Sequence, residues 1–114
     1  MVVRGKFDED LKTLHGKLLE LGNFAVHALN QSLVALENKD IELALKILED
    51  DAEANIMEEE INDFAILLIA KQQPVAVDLR RLIVAIKIAT DIERMADFAV
   101  NIAKSTIRIG KEPL

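Results

Sequence analysis

Phe7, Leu11, Leu14, Leu18, Leu21, Ala25, Ala28, Ser32 and Ala35 follow one another at alternating spacings of four and three residues. A strand repeats every two residues and a loop has no period, so this run can bury its apolar side only as a long helix packed along one seam. The spacing predicts a helix over about residues 8 to 37, with Asp8, Glu9 and Asp10 in its first turn, where acids suit the positive end of the helix dipole. Asn38, Lys39 and Asp40 then form a polar break that offers two N-cap residues before the pattern restarts at Ile41.

A second segment, about 41 to 71, carries apolar residues at Ile41, Leu45, Leu48 and Ala52 and again at Ile61, Ala65, Ile66, Leu68 and Ile69. A parallel series, Ala44, Ile47, Ala54, Ile61, Ala65 and Leu68, keeps the heptad spacing through it. Pro74 suits the opening position of a third helix, predicted over about 75 to 109 with Asp78 in its first turn. Lys104 and Arg108 complement its far end, and Gly110 followed by Pro113 reads as a stop. Three rods of roughly 30 to 35 residues are each roughly 45 to 52 Å long, and matched lengths with short links predict an all-α, antiparallel, up-down-up three-helix bundle. Residues 1 to 114 are read as one domain, with no internal repeat or linker.

Composition removes several function classes. A net charge of −6 lacks the basic footprint of a general nucleic-acid binder. Without cysteine there is no disulfide framework, thiolate metal site or thiol nucleophile. The longest uncharged stretch, Leu21 to Leu36, is interrupted by Asn23, His27, Asn30, Gln31 and Ser32 and falls short of the roughly 20 apolar residues of a membrane span. The opening residues lack the apolar core of a secretory signal, so a cytoplasmic protein is expected. No nucleophile elbow, P-loop, dinucleotide fingerprint or HExxH is present, and no enzyme activity is predicted.

What remains unexplained is acidic. Glu93 and Asp97 lie one turn apart within the third segment's stripe, Leu79, Leu82, Ile83, Ile86, Ala89, Thr90, Ala96, Val100, Ala103 and Ile107. Carboxylates at i and i+4 repel, and burying one unpaired is costly, so a cationic partner or a metal ion is needed beside them. Asp51, Asn55 and Glu58 share one face of the second segment and interrupt its heptads. Counting outward from a turn centred near Gln73 brings Asp51 level with position 95 and Asn55 level with position 91, the height of Glu93 and Asp97. Oxygen-only donors suit Mg²⁺, Ca²⁺, Mn²⁺ or iron, while zinc fits less well without His or Cys. The alternative is a solvated face of ion pairs with Arg80, Arg81, Lys87 or Arg94. His27 falls near the height of Asp51, but its neighbours Asn23, Asn30 and Gln31 read as a solvated face, and His15 reads as surface.

Residues 72 to 103, QQPVAVDLRRLIVAIKIATDIERMADFAVNIA, resemble the third-helix pattern of the PhoU-like phosphate-transport regulators: a Pro-started helix, D-L-R, a Lys, D-x-E-R-x-x-D and N-I-A. DDAEANIMEEEI, residues 50 to 61, is similar to that family's second-helix motif. The resemblance covers the whole chain. It implies a three-helix unit that occurs twice in tandem in full-length members, of which this chain is the first repeat and hence a fragment. It also implies metal clusters held on the bundle surface by paired acidic motifs, here Glu93 with Asp97 and Asp51 with Asn55. Asn55 supplies a neutral amide where the stricter pattern has a carboxylate, and Ala96 and Phe98 stand where the family often has Gly and His. Asn101, one turn beyond Asp97, would orient a ligand or water from outside the first shell.

The function implied is negative regulation of phosphate uptake and phosphate-starvation signalling. The implied partners are a phosphate sensor histidine kinase and the ATPase of a phosphate ABC transporter, with homodimerisation and a bound iron, manganese, magnesium or zinc ion. Two other classes stay open at this point. A purely structural coiled-coil module would explain the heptads and predicts that Glu93→Leu stabilises the fold. A ferritin-like metal bundle would explain the acids but calls for Glu-x-x-His pairs on facing helices, which this chain lacks.

Overall fold

Long runs without Pro, and with Gly only where no tight turn is needed, let the first rod extend further than its acids suggest. In a computed structural model, which describes residues 3–110, α1 spans Val3–Asn38, α2 Ile41–Asp50, α3 Ala52–Gln72 and α4 Ala76–Ile109. Because α1 starts at Val3, Asp8, Glu9 and Asp10 lie beyond its first turn and the predicted dipole contact is not made. The acid nearest the core does other work: Asp10 pairs with Lys6 at 3.3 Å and accepts a hydrogen bond from Gln72 Nε2 at 2.7 Å, tying α1 to the end of α3. Phe7, buried beside that tie, anchors the early turns.

The bundle is up-down-up. Ala35 near the end of α1 packs with Ala44 and Ile47 of α2 and with Ala99 and Ala103 near the end of α4. A second, longer cluster joins Phe7 to Ala25 of α1, Ala54 to Leu68 of α3 and Leu82 to Ala96 of α4. α1 and α4 therefore run parallel, with α2 and α3 returning between them, in a rod of 66 × 17 × 17 Å. At the first turn Lys39 takes a left-handed φ of 54°, and Asp40 caps α2 by accepting from the Leu43 N–H at 3.0 Å. At the second, Gln73 closes α3 in the αL conformation, its N–H donating to the Ile69 carbonyl at 3.0 Å. Helix α4 opens at Ala76 behind an extended Val75, so Pro74 belongs to the turn and not to the first helical position. Gly110 ends α4 at φ 63°, and its N–H donates to the Thr106 carbonyl. Pro113 of the predicted stop lies outside the described residues.

Two seams differ from the sequence expectation. In the second rod the buried series runs through Ala44, Ile47, Ala54, Ile61, Ala65 and Leu68, while Leu45 and Ile66 are exposed. In α4 the buried line is Leu82, Ala85, Ala89, Ala96, Ala99, Ala103 and Thr106, one position away from Ile86, Val100 and Ile107. Alanine explains the rotation: a methyl side chain lets two backbones approach closely, so each helix turns its alanines to its neighbour and wraps the larger residues around the flank. Polar residues on the seams are satisfied locally, Ser32 donating to the Leu29 carbonyl at 2.7 Å and Thr106 to the Ile102 carbonyl at 3.1 Å.

The predicted continuous second helix is broken at Asp51. There the backbone tightens: the Asp51 N–H reaches the Leu48 carbonyl at 3.4 Å, and the Ala54 N–H reaches the Asp51 carbonyl at 3.1 Å, both three residues back. Asp51 keeps right-handed dihedrals, φ −58° and ψ −32°, so the two helices continue in nearly one direction. Aspartate is a weak helix former, and a seam position filled by it supplies no apolar contact to hold the ladder straight.

Candidate metal centre

The break coincides with the boundary between the two core clusters. Ile47 belongs to one and Ala54 to the other, and on α4 the same division falls between Ala96 and Ala99. The heptad positions left open on the second rod are those of Asp51 and Glu58, both half-buried. On α4 the buried series skips a place between Ala89 and Ala96, where Ile92 and Glu93 stand half-buried side by side. Charged residues therefore occupy the seam's edge on two neighbouring rods at one height, next to small alanines that leave them room.

Their electrostatics show that they act on one another. The Glu93 carboxyl is pushed up to about 7, first by burial, then by a hydrogen bond to Asp97 and by the negative charges of Asp97, Glu58 and Asp51. A carboxyl that holds its proton near neutrality can donate to Asp97, so one proton is shared where two charges would repel. Asp51 is also raised, by burial and then by Asp97, with Lys104 drawing it partly back. Asp97 thus acts on both neighbours and lies electrostatically between them.

The cationic alternative is not taken up. Arg94 pairs with Asp91 at 3.5 Å and Arg81 with Asp78 at 3.5 Å. Among the described residues no lysine or arginine forms an ion pair with Asp51, Glu58, Glu93 or Asp97. Asp51, Glu93 and Asp97 lie near enough to influence one another's ionisation, and Glu58, a member of the acidic face but outside the expected ligand set, also acts on Glu93. Asn55 and Asn101 are exposed, as is Asp97, so the pair expected within the stripe lies on its flank. The seam's rotation towards alanine accounts for that shift.

As donors, three or four carboxylate groups suit a hard cation, and the Glu93 carboxyl is raised first by burial and then by the acids around it. The side chains are not drawn into a ready-made cage: among the described residues no three His, Asp or Glu groups are gathered closely enough to hold an ion. An ion here would recruit exposed, rotatable side chains and complete its shell with water. Beside the patch, Phe24, His27, Ala28, Leu43, Ile47 and Val100 line a cleft of about 180 Å³ that reaches Asp51. His27 is exposed, on the cleft's rim.

Comparison with known proteins fits this frame. The sequence profile of the family described as the PhoU domain matches residues 18–106. A phosphate-specific transport system accessory protein PhoU homolog of Rhizobium meliloti is 40% identical over 95% of this chain and 46% of its own length. A homolog of the same name from Clostridium acetobutylicum is 41% identical over 97% of this chain and 51% of its own. The Escherichia coli accessory protein PhoU is 30% identical over 92% of this chain and 44% of its own. The chain spans about half the length of these curated relatives.

Proposed function

This chain belongs to the PhoU family, and from that premise we propose that it is a regulatory, accessory module of a phosphate-specific transport system. The reading draws on relatives at 30 to 41% identity that are named phosphate-specific transport system accessory proteins. The structural observation that carries it is an acidic patch on neighbouring rods that no lysine or arginine among the described residues neutralises by an ion pair. A 17 Å wide rod offers long helical faces beside that patch, and such faces suit an adaptor that docks other helices.

Asp51, Glu93 and Asp97 are the residues that would hold a cation, with Glu58 beside them, Asn55 able to add an amide oxygen and Asn101 to orient a water. Iron, manganese or magnesium fits these oxygen donors, and zinc fits them less well. When bound, the ion supplies fixed positive charge. The chain's own contribution is to place the carboxylates at one height, share a proton between Glu93 and Asp97 when the ion is absent, and keep the flanking apolar faces open for partner helices. The partners we assign are the cytoplasmic part of a phosphate sensor histidine kinase and the ATPase of a phosphate ABC transporter, both restrained when phosphate is plentiful. No helix among the described residues is long and apolar enough to cross a membrane, so contact with the transporter would be made by docking.

The exposure of Asp97 and Asn55 favours a second reading, a helix-packing module whose acids are only a solvated face. Affinity capture from phosphate-replete cells separates the two. The tagged chain should retain the kinase and the ATPase, and Glu93→Ala with Asp97→Ala should lose them. Capture of neither by the unaltered chain would overturn the adaptor assignment, and equal capture by both forms would remove the cation from it.

A further inference from the structure

Where the two core clusters meet, every rod brings a small or polar residue to the seam. α1 carries Ala25, Ala28 and Ser32 there, α4 carries Ala96 and Ala99, and the second rod has Asp51 at the heptad position between Ile47 and Ala54. Methyl groups and a carboxylate do not fill the space that a leucine would occupy, so the seam opens at this level. The opening is the cleft of about 180 Å³, with Phe24, Ala28, Leu43, Ile47, Ala96 and Val100 as its apolar walls. We propose that this cleft binds a small amphiphilic monoamine, with a phenyl-sized apolar body between α1, α2 and α4 and an ammonium group at Asp51.

Size selects the body. A cavity of roughly 150 Å³ lined by aliphatic and aromatic side chains takes up benzene, so this cleft accommodates one ring with a short tether. Its remaining lining is polar, from His27, Gln31, Lys46, Asp50 and Asp51. Apolar walls with a few polar groups beside them are the composition of a small-molecule site.

Charge selects the head. Lys46 pairs with Asp50 at 3.3 Å along one turn of α2, so those two charges offset each other. Among the described residues no lysine or arginine forms an ion pair with Asp51, and Lys104 acts on it without pairing. The cleft therefore ends on a half-buried carboxylate that its neighbours leave uncompensated. An ammonium carried there by the apolar body gains a charge-assisted hydrogen bond. A carboxylate of the same size meets repulsion instead. An amine without the body gains only what a solvated ion pair gives.

The assignment does not rest on a cation being held by the acids, although the two sites share Asp51. An ammonium at Asp51 and an ion at Asp51, Glu93 and Asp97 would exclude each other, and by linkage each weakens the other by the same factor.

Titration of the chain with phenethylamine, charged at neutral pH, tests body and head separately when followed through the side-chain methyl resonances with a chelator present. A saturable shift of the Ala28, Ala96 and Val100 methyls is expected, with a dissociation constant on the order of 1 mM for so small a ligand. Phenylacetate, with the same ring and the opposite charge, should bind at least about tenfold more weakly. Ethylamine, the head alone, should give no saturable shift at these methyls. Asp51→Asn should weaken phenethylamine at least about fivefold and narrow its preference over phenylacetate. Val100→Phe, which fills the cleft and leaves Asp51 in place, should remove binding. No saturable shift with phenethylamine, equal affinity for phenylacetate, or either variant binding as the unaltered chain does would each overturn the proposal. The chelator keeps cations away, so failure of the cation reading would leave these shifts unchanged.

Discussion

Replacing Glu93 by Gln removes one ionisation from the carboxylate cluster while keeping a donor for Asp97. The Glu93 carboxyl, ordinarily near 4.5, is held at about 7 in the folded chain, so the folded state binds this proton more tightly than the unfolded state does. Each factor of ten in proton affinity is worth about 1.4 kcal/mol, which sets a ceiling of about 3 kcal/mol. The group is half-buried, and solvent screening brings the expected effect to about 1 to 2 kcal/mol. The sign follows from linkage: the stabilisation is fully present below about pH 4.5 and is lost as pH rises through about 7. The raised Asp51 carboxyl adds to the same trend. Urea unfolding across that range should show the unaltered chain losing stability towards about pH 8, and Glu93→Gln losing about 1 to 2 kcal/mol less. The two forms should converge near about pH 4.5. Parallel profiles at every pH would refute the reasoning, because they would mean that neither burial nor the neighbouring carboxylates raise Glu93 in the folded chain.

Leu82 is fully buried at the centre of the longer cluster, and Leu82→Ala should cost about 2 to 5 kcal/mol, measured as a lower urea midpoint with an unchanged slope. Asp40→Ala deletes the 3.0 Å cap on α2 and should cost about 1 kcal/mol, with amide exchange rising over Ile41 to Leu43 before it rises elsewhere.

Much of the fold is legible in the sequence because a seam of alternating four and three spacings has few other solutions. Asp40 as a cap, the polar turns and the three rods follow from local chemistry. What sequence spacing does not resolve is which of two adjacent apolar lines faces inward. Ile86, Val100 and Ile107 look like the better core residues, yet α4 turns Ala85, Ala99 and Thr106 inward, since close backbone approach outweighs side-chain size when the neighbouring rods are also lined by alanine. Because Leu82, Ala89, Ala96 and Ala103 stay inward, the seam turns by roughly half of the 100° between adjacent residues, which moves Asp97 from the stripe to exposed flank. The break at Asp51 was visible only as a polar heptad position, because aspartate in a seam need not interrupt a helix. The height match between Asp51 and Glu93 was readable by counting from the turn near Gln73, since two antiparallel helices of equal rise make that count a distance. Glu58 was visible as part of the acidic face, and its influence on Glu93 emerges only from the folded geometry.

Calorimetric titration of the chain with Mn²⁺ at low ionic strength, beside Glu93→Gln with Asp97→Asn, bears most directly on whether the clustered acids are a cation site. Saturable binding accompanied by proton release near neutral pH is expected for the unaltered chain, because Glu93 must give up its proton to coordinate, and both signals should vanish in the variant. Heats that never saturate, or a variant that binds as the unaltered chain does, would contradict the account.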